Sequence, residues 1–121
     1  MNTFNELVGK TIVGIENNNG DELVFTCSDG TVYKQCHHQD CCETVSIDDI
    51  AGDLEDIMNS PVIVAEKSTS NENPLGVIVE YQDSFTWTFY KIDTAKGGVT
   101  IRWYGDSNGY YSEEVSFDRV K

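Results

Sequence analysis

Alternation along the C-terminal half is the strongest constraint on what this chain can fold into. In GVTIRWYG (98–105), Val99, Ile101 and Trp103 occupy every second position with Thr100 and Arg102 between them, and SFTWTFYKI (84–92) does the same with Phe85, Trp87 and Phe89. Successive side chains of a strand point to opposite faces, so such segments suit strands with one buried side. Together with VIVEY (77–81) and YYSEEVSF (110–117) they give four strand candidates joined by short turns. The last turn, Asp106 to Tyr110, suits a three-residue loop with Gly109 in the left-handed position. Counted from it, Trp103 faces Glu113, Ile101 faces Val115, Val99 faces Phe117 and Arg102 faces Glu114.

The N-terminal half continues the pattern. Thr3 to Val8 reads as one helical turn ending at Gly9, KTIVGIEN as a strand, NNNGD as a turn and ELVFTCS as a second strand. The Asp29-Gly30 pair then predicts a two-residue type I′ hairpin, which sets Ser28 opposite Thr31, Cys27 opposite Val32 and Leu23 opposite Cys36. PVIVAEKS reads as a strand with Pro61 at its permitted first position. Residues 68–76 read as an exposed loop.

One stretch breaks the alternation. In VSIDDIAGDLEDIM (45–58), Ile47, Ile50, Leu54 and Ile57 recur at helical spacing, with Ser46 and Asp49 as a weak capping box. The expectation is therefore an α+β domain: an antiparallel, meandering and curved sheet of about six to eight strands, with one main α-helix over about 47–58 packed on it. At 121 residues the chain fits a single domain, 1–121, with enough apolar core to need no disulfide.

Charge excludes some partners. Twenty-one acids against eight bases give a net charge of −13, without a basic cluster, which argues against direct nucleic-acid binding. The N-terminus lacks the basic start and apolar run of a signal peptide, and no segment approaches membrane-spanning length. A cytoplasmic protein with reduced thiols, not bound to membrane, is the expectation. From Gln35 to Glu66 there are eight acids and no Lys or Arg. The helix would display Asp48, Asp49, Asp53, Glu55 and Asp56, which with Glu43 form a candidate surface for a basic partner protein.

The densest chemistry lies in CHHQDCCETV (36–45). A bend at Gln39-Asp40 would bring Cys41 or Cys42 back towards Cys36 and His38, a ligand set sound for zinc, although the spacing matches no standard framework. A cysteine nucleophile is disfavoured because negative surroundings raise a thiol's pKa. The simplest alternative is a bend closed by histidine hydrogen bonds with one of Cys41 and Cys42 buried. No cofactor is required. The chain also lacks a phosphate-cradling loop, H-E-x-x-H and G-x-S-x-G, so no enzyme is expected. Among the aromatics, the tryptophans are core candidates, while Tyr90, Tyr104 and Tyr111 around Arg102 are candidates for a small-ligand surface on the outer face.

QDCCE (39–43), GDLEDI (52–57), WTFYKI (87–92) and TIRWYGDSNGYYSE (100–113) together resemble a family of small proteins encoded by tailed phages, prophages and bacteria, over about Leu7 to Val120. The resemblance implies a phage-associated setting and no catalytic residues. It also implies two kinds of work: blocking a host protein through an acidic surface, or sequestering a small signalling molecule.

Overall fold

The structure, a computed structural model, describes residues 4–74, 76, 77, 84–109 and 111–121. Two four-stranded antiparallel sheets pack face to face. Strands β1 (Ile12–Asn17), β2 (Glu22–Cys27), β3 (Val32–Cys36) and β8 (Ser116–Arg119) form the first, in the order β1-β2-β3-β8. Strands β4 (Thr44–Ala51), β7 (Gly97–Ser107), β6 (Ser84–Thr94) and β5 (Val62–Ser70) form the second, in the order β4-β7-β6-β5. Leu23, Phe25, Tyr33 and Phe117 of the first sheet meet Tyr90, Ile92, Ile101 and Trp103 of the second in one core. Phe4, from the 3₁₀ turn Phe4–Leu7, closes it with edge contacts to Tyr90 (4.7 Å) and Phe117 (4.9 Å).

The α+β expectation is overturned: the helix expected over 47–58 is absent, and its first half is strand β4. The physical reason is a β-bulge. Val45 pairs with Gly105 and Ile47 with Trp103; an extra residue, Asp48, then intervenes before Asp49 pairs with Arg102 and Ile50 with Ile101. The bulge resets the alternation, so Ile47 and Ile50 both reach the core three positions apart. A helix gives the same spacing, and the two are indistinguishable by periodicity. Gly52, at φ +108°, ends the strand, and Asp53 caps a single 3₁₀ turn, Leu54–Ile57, by accepting from the Glu55 N–H at 3.0 Å.

Two hairpin registers also differ from expectation. The Cys27 N–H bonds the Thr31 carbonyl and the Gly30 N–H bonds the Cys27 carbonyl, so the turn is a three-residue loop with Gly30 at φ +90°. Its side chain explains the longer loop: Asp29 accepts from the Thr31 N–H (3.0 Å) and hydroxyl (2.6 Å). Leu23 therefore faces Gln35, and Glu22 faces Cys36. The expected hairpin between 99–103 and 113–117 does not form. Both edges of β7 are taken, by β4 and β6, and β8 crosses to pair with β3 instead. Arg102 accordingly meets Asp48 rather than Glu114. Strand β5 runs to Ser70, into the segment expected as loop from 68, and residues 78–81 of the VIVEY candidate lie outside the described residues.

Candidate functional site

The chain crosses between the sheets twice where this end of the sandwich closes. Residues 37–43 lead from β3 to β4, and residues 108–115 lead from β7 back to β8. His37 ties the two crossings together. Its Nε2 lies 2.7 Å from Glu43 Oε2, and its Nδ1 lies 2.6 Å from the carbonyl oxygen of Glu114. Both ring nitrogens thus face oxygens that only accept. The His37 and Glu43 side chains are out of solvent, at 4% and 0% exposure.

Glu43 is the hub of the first crossing. Its carboxylate accepts from the N–H groups of Asp40 and Cys41, both at 2.9 Å, and from the Gln39 amide at 3.2 Å. Gln39 also donates to the Glu43 carbonyl at 2.7 Å. Burial alone would raise the carboxyl's pKa, yet the Cys41 N–H, the His37 ring and the Asp40 N–H outweigh it and hold it down at about 2. Glu43 therefore folds the bend around its own charge and is not a surface acid, against its place in the expected acidic surface. A second buried glutamate, Glu113, accepts from Thr86 Oγ1 (2.8 Å) and Ser107 Oγ (2.6 Å) in the other crossing.

Two open clefts flank His37. One, of about 370 Å³, is lined by Asp21, His37, Gln39, Glu43, Thr44, Val45 and Ser46; the other, of about 210 Å³, by His37, His38, Ser112, Glu114 and Ser116. Both ring nitrogens of His37 are engaged in its contacts with Glu43 and Glu114.

The expected zinc set is dispersed. Cys36 is on β3 opposite Glu22 and Ser116, with its thiol pKa raised by burial. His38 is exposed, 3.3 Å from Asp118. Cys41 and Cys42, both exposed, are joined in a disulfide, against the expectation of reduced thiols and of one buried cysteine. Among the described residues no three His, Cys, Asp or Glu side chains converge as metal ligands.

The ligand candidates are split between faces. Tyr90 is fully buried in the core, donating to the Val115 carbonyl at 2.9 Å, and burial raises its pKa strongly. Arg102 and Tyr104 lie on the opposite face of the second sheet. There the Arg102 guanidinium sits 5.1 Å over the Trp87 ring, and Tyr104 packs 4.5 Å from it. Trp87 is 1% exposed and donates to Asn73 Oδ1, so this outer cluster is itself covered. Tyr111, in the second crossing, is partly buried.

The remaining acids follow one another along an edge. β4 borders the second sheet and carries exposed Asp48 and Asp49; Asp53, Glu55 and Asp56 continue on the 3₁₀ turn. Arg102 binds Asp48 Oδ2 through Nε (2.8 Å) and Nη2 (2.5 Å). Asp56 is partly buried, against the backbone at Gly97. Lys96 caps the carbonyls of Glu55 (3.1 Å) and Met58 (2.8 Å) and not the carboxylates. Asp49, Asp53 and Glu55 are left facing solvent.

No helix among the described residues is long and apolar enough to cross a membrane. A family of domains of unknown function (DUF7448) matches residues 5–117. No curated protein matches the chain. No solved structure matches it either.

Proposed function

The chain belongs to this DUF7448 family, which brings no activity to inherit, and we propose from the chain's own geometry that it is a non-enzymatic acidic binding protein. Its β4 edge and the following turn, with Asp49, Asp53 and Glu55 foremost, dock on a basic site of a partner protein. The phage-associated setting and the host cytoplasm belong to this proposal, on the strength of the sequence resemblance, with a host protein as the partner blocked.

One observation carries the reading. Seven of the eight Lys and Arg are engaged by the chain itself: Lys10, Lys34, Lys91 and Arg102 each pair with a carboxylate, while Lys67, Lys96 and Arg119 bond backbone carbonyls. What an approaching molecule meets is therefore the unpaired acidic excess, which steers a basic partner and repels nucleic acid.

A bacterial lysate passed over the immobilised protein at low and high salt tests it. The native chain should retain a basic protein at low salt and release it at high salt. The Asp49→Lys, Asp53→Lys, Glu55→Lys variant should lose it, whereas a Glu16→Lys, Glu66→Lys, Glu72→Lys control should retain it. Equal capture by both triple variants would reject this edge as the docking surface.

A further inference from the structure

The Cys41–Cys42 bend stands apart from the acidic edge and has its own chemistry. The two sulfurs are bonded to each other and both residues are exposed. The backbone that presents them is held by contacts that involve no sulfur: the N–H groups of Asp40 and Cys41 on the Glu43 carboxylate, the Gln39 amide on the carbonyls of Cys41 (3.2 Å) and Glu43, and the His37 ring behind them. Opening the disulfide removes none of these. The bend keeps its shape, and the two thiols remain neighbours in solvent.

The other two cysteines are not placed to exchange with this pair. Cys27 is buried on the core side of β2, and Cys36, the last residue of β3, is half-buried and paired between Glu22 and Ser116. Burial, above other influences, raises both thiols above their ordinary value, which makes them sluggish nucleophiles. A small thiol reaching the bend thus meets a two-cysteine system isolated from the rest.

We infer that Cys41 and Cys42 form a reversible thiol–disulfide exchange site for low-molecular-mass thiols, with cationic thiols reacting faster than anionic ones. In the first step the incoming thiolate bonds to one of the two sulfurs and the Cys41–Cys42 bond breaks; the departing sulfur takes a proton from solvent. In the second, another thiol attacks the mixed disulfide, releasing the small-molecule disulfide and the second protein thiol. Two electrons and two protons pass to the protein, and two small thiols are oxidised to one disulfide. The charge preference comes from exposed Asp40 within the bend and Asp21 on the adjoining cleft wall, with no Lys or Arg lining that cleft among the described residues.

The full-length chain is equilibrated with graded mixtures of cysteamine and cystamine, or of reduced and oxidised glutathione, and quenched with iodoacetamide. The tryptic peptide from Gln35 to Lys67 then reports Cys36, Cys41 and Cys42 together. Alkylation of Cys41 and Cys42 should appear and vanish as a pair, reversibly, while Cys27 and Cys36 do not follow the mixture. Cys41→Ser and Cys42→Ser should each abolish the paired step without unfolding the chain. Cysteamine should open the bond faster than glutathione, with the two rates converging as salt screens the charge. Full alkylation of both residues in the most oxidising mixture, or a bond from either to Cys36, would overturn the exchange site. Equal rates for the two thiols at low salt would overturn its charge preference.

Discussion

His37 and Glu43, six residues apart, meet at 2.7 Å with the histidine's other nitrogen on the Glu114 carbonyl, so one side chain fastens both crossings between the sheets. The ionised carboxylate is the condition for that fastening. Its carboxyl is held at about 2 against an ordinary 4.5, so between those values the unfolded chain holds a proton that the folded chain does not. The contribution of Glu43 is complete above about 4.5 and is lost as pH falls through about 2. Melting temperatures measured from pH 2 to 7 should decline over this acid limb. Glu43→Gln, which cannot ionise, should lower stability at pH 7 and flatten the decline. An unaltered limb in that variant would show that other groups govern acid unfolding. Asp29 is one such group: hydrogen bonds from Lys10 and then Thr31 hold it well below the carboxylate range, so Asp29→Asn serves as the control.

A second polar contact spans the core. The Trp103 indole N–H donates to Gln35 Oε1 at 2.6 Å, with both residues fully buried, and the Gln35 Nε2 has no partner among the described residues. Because an indole only donates, it fixes the amide's orientation and leaves that NH₂ group stranded. Gln35→Met keeps the length of the side chain, removes the stranded donor and orphans the indole instead. The two changes oppose each other. Chemical denaturation should show a net loss smaller than the ~1–3 kcal/mol of one unsatisfied buried group. Gln35→Met combined with Trp103→Phe removes both polar groups and should restore part of the loss, less the cost of the smaller ring. A loss above that range for Gln35→Met would mean the Nε2 is satisfied in solution.

How much of this was legible varied with how local the cause is. The strand segments of β2, β6 and β7 follow from alternation, because side-chain direction is set within each segment. Pairing was not legible in the same way. The Gly109 turn has the expected left-handed glycine, at φ +90°, yet it does not return β7 onto the next strand, since β4 already occupies that edge. Glu43 was misplaced for a related reason: a carboxylate within an acidic run looks solvated, and only the bend that wraps Asp40, Cys41 and Gln39 around it makes it internal. The presence of two histidines just before that bend did signal its closure, and His37 performs it.

Arg102 links the outer aromatic cluster to the acidic edge. It binds Asp48 in a partly exposed pair and lies over the buried Trp87 ring, so Arg102→Gln should cost on the order of 1–2 kcal/mol. The larger effect falls on potential. Freed of its cation, Asp48 joins Asp49 and Asp53, and association with the basic partner should become faster and more salt-dependent. Stopped-flow association at two ionic strengths reads this directly. Slower binding would place Arg102 itself in the contact.

Gly52→Ala distinguishes the bulged strand from the helix that the same residues suggest. In the interior of a helix over 47–58, this substitution would stabilise the protein by about 1 kcal/mol. Here Gly52 has φ +108°, and an added Cβ would lie 2.6 Å from the Gly98 carbonyl oxygen and 3.3 Å from Val99. That oxygen belongs to β7 backbone, which is held between β4 and β6 and has little room to yield. The variant should therefore lose stability, by more than about 1 kcal/mol, as alanine does where φ is positive. Urea denaturation gives the sign. A stabilised Gly52→Ala protein would reverse the assignment of residues 44–51 to a strand, and with it the edge on which the acidic docking surface depends.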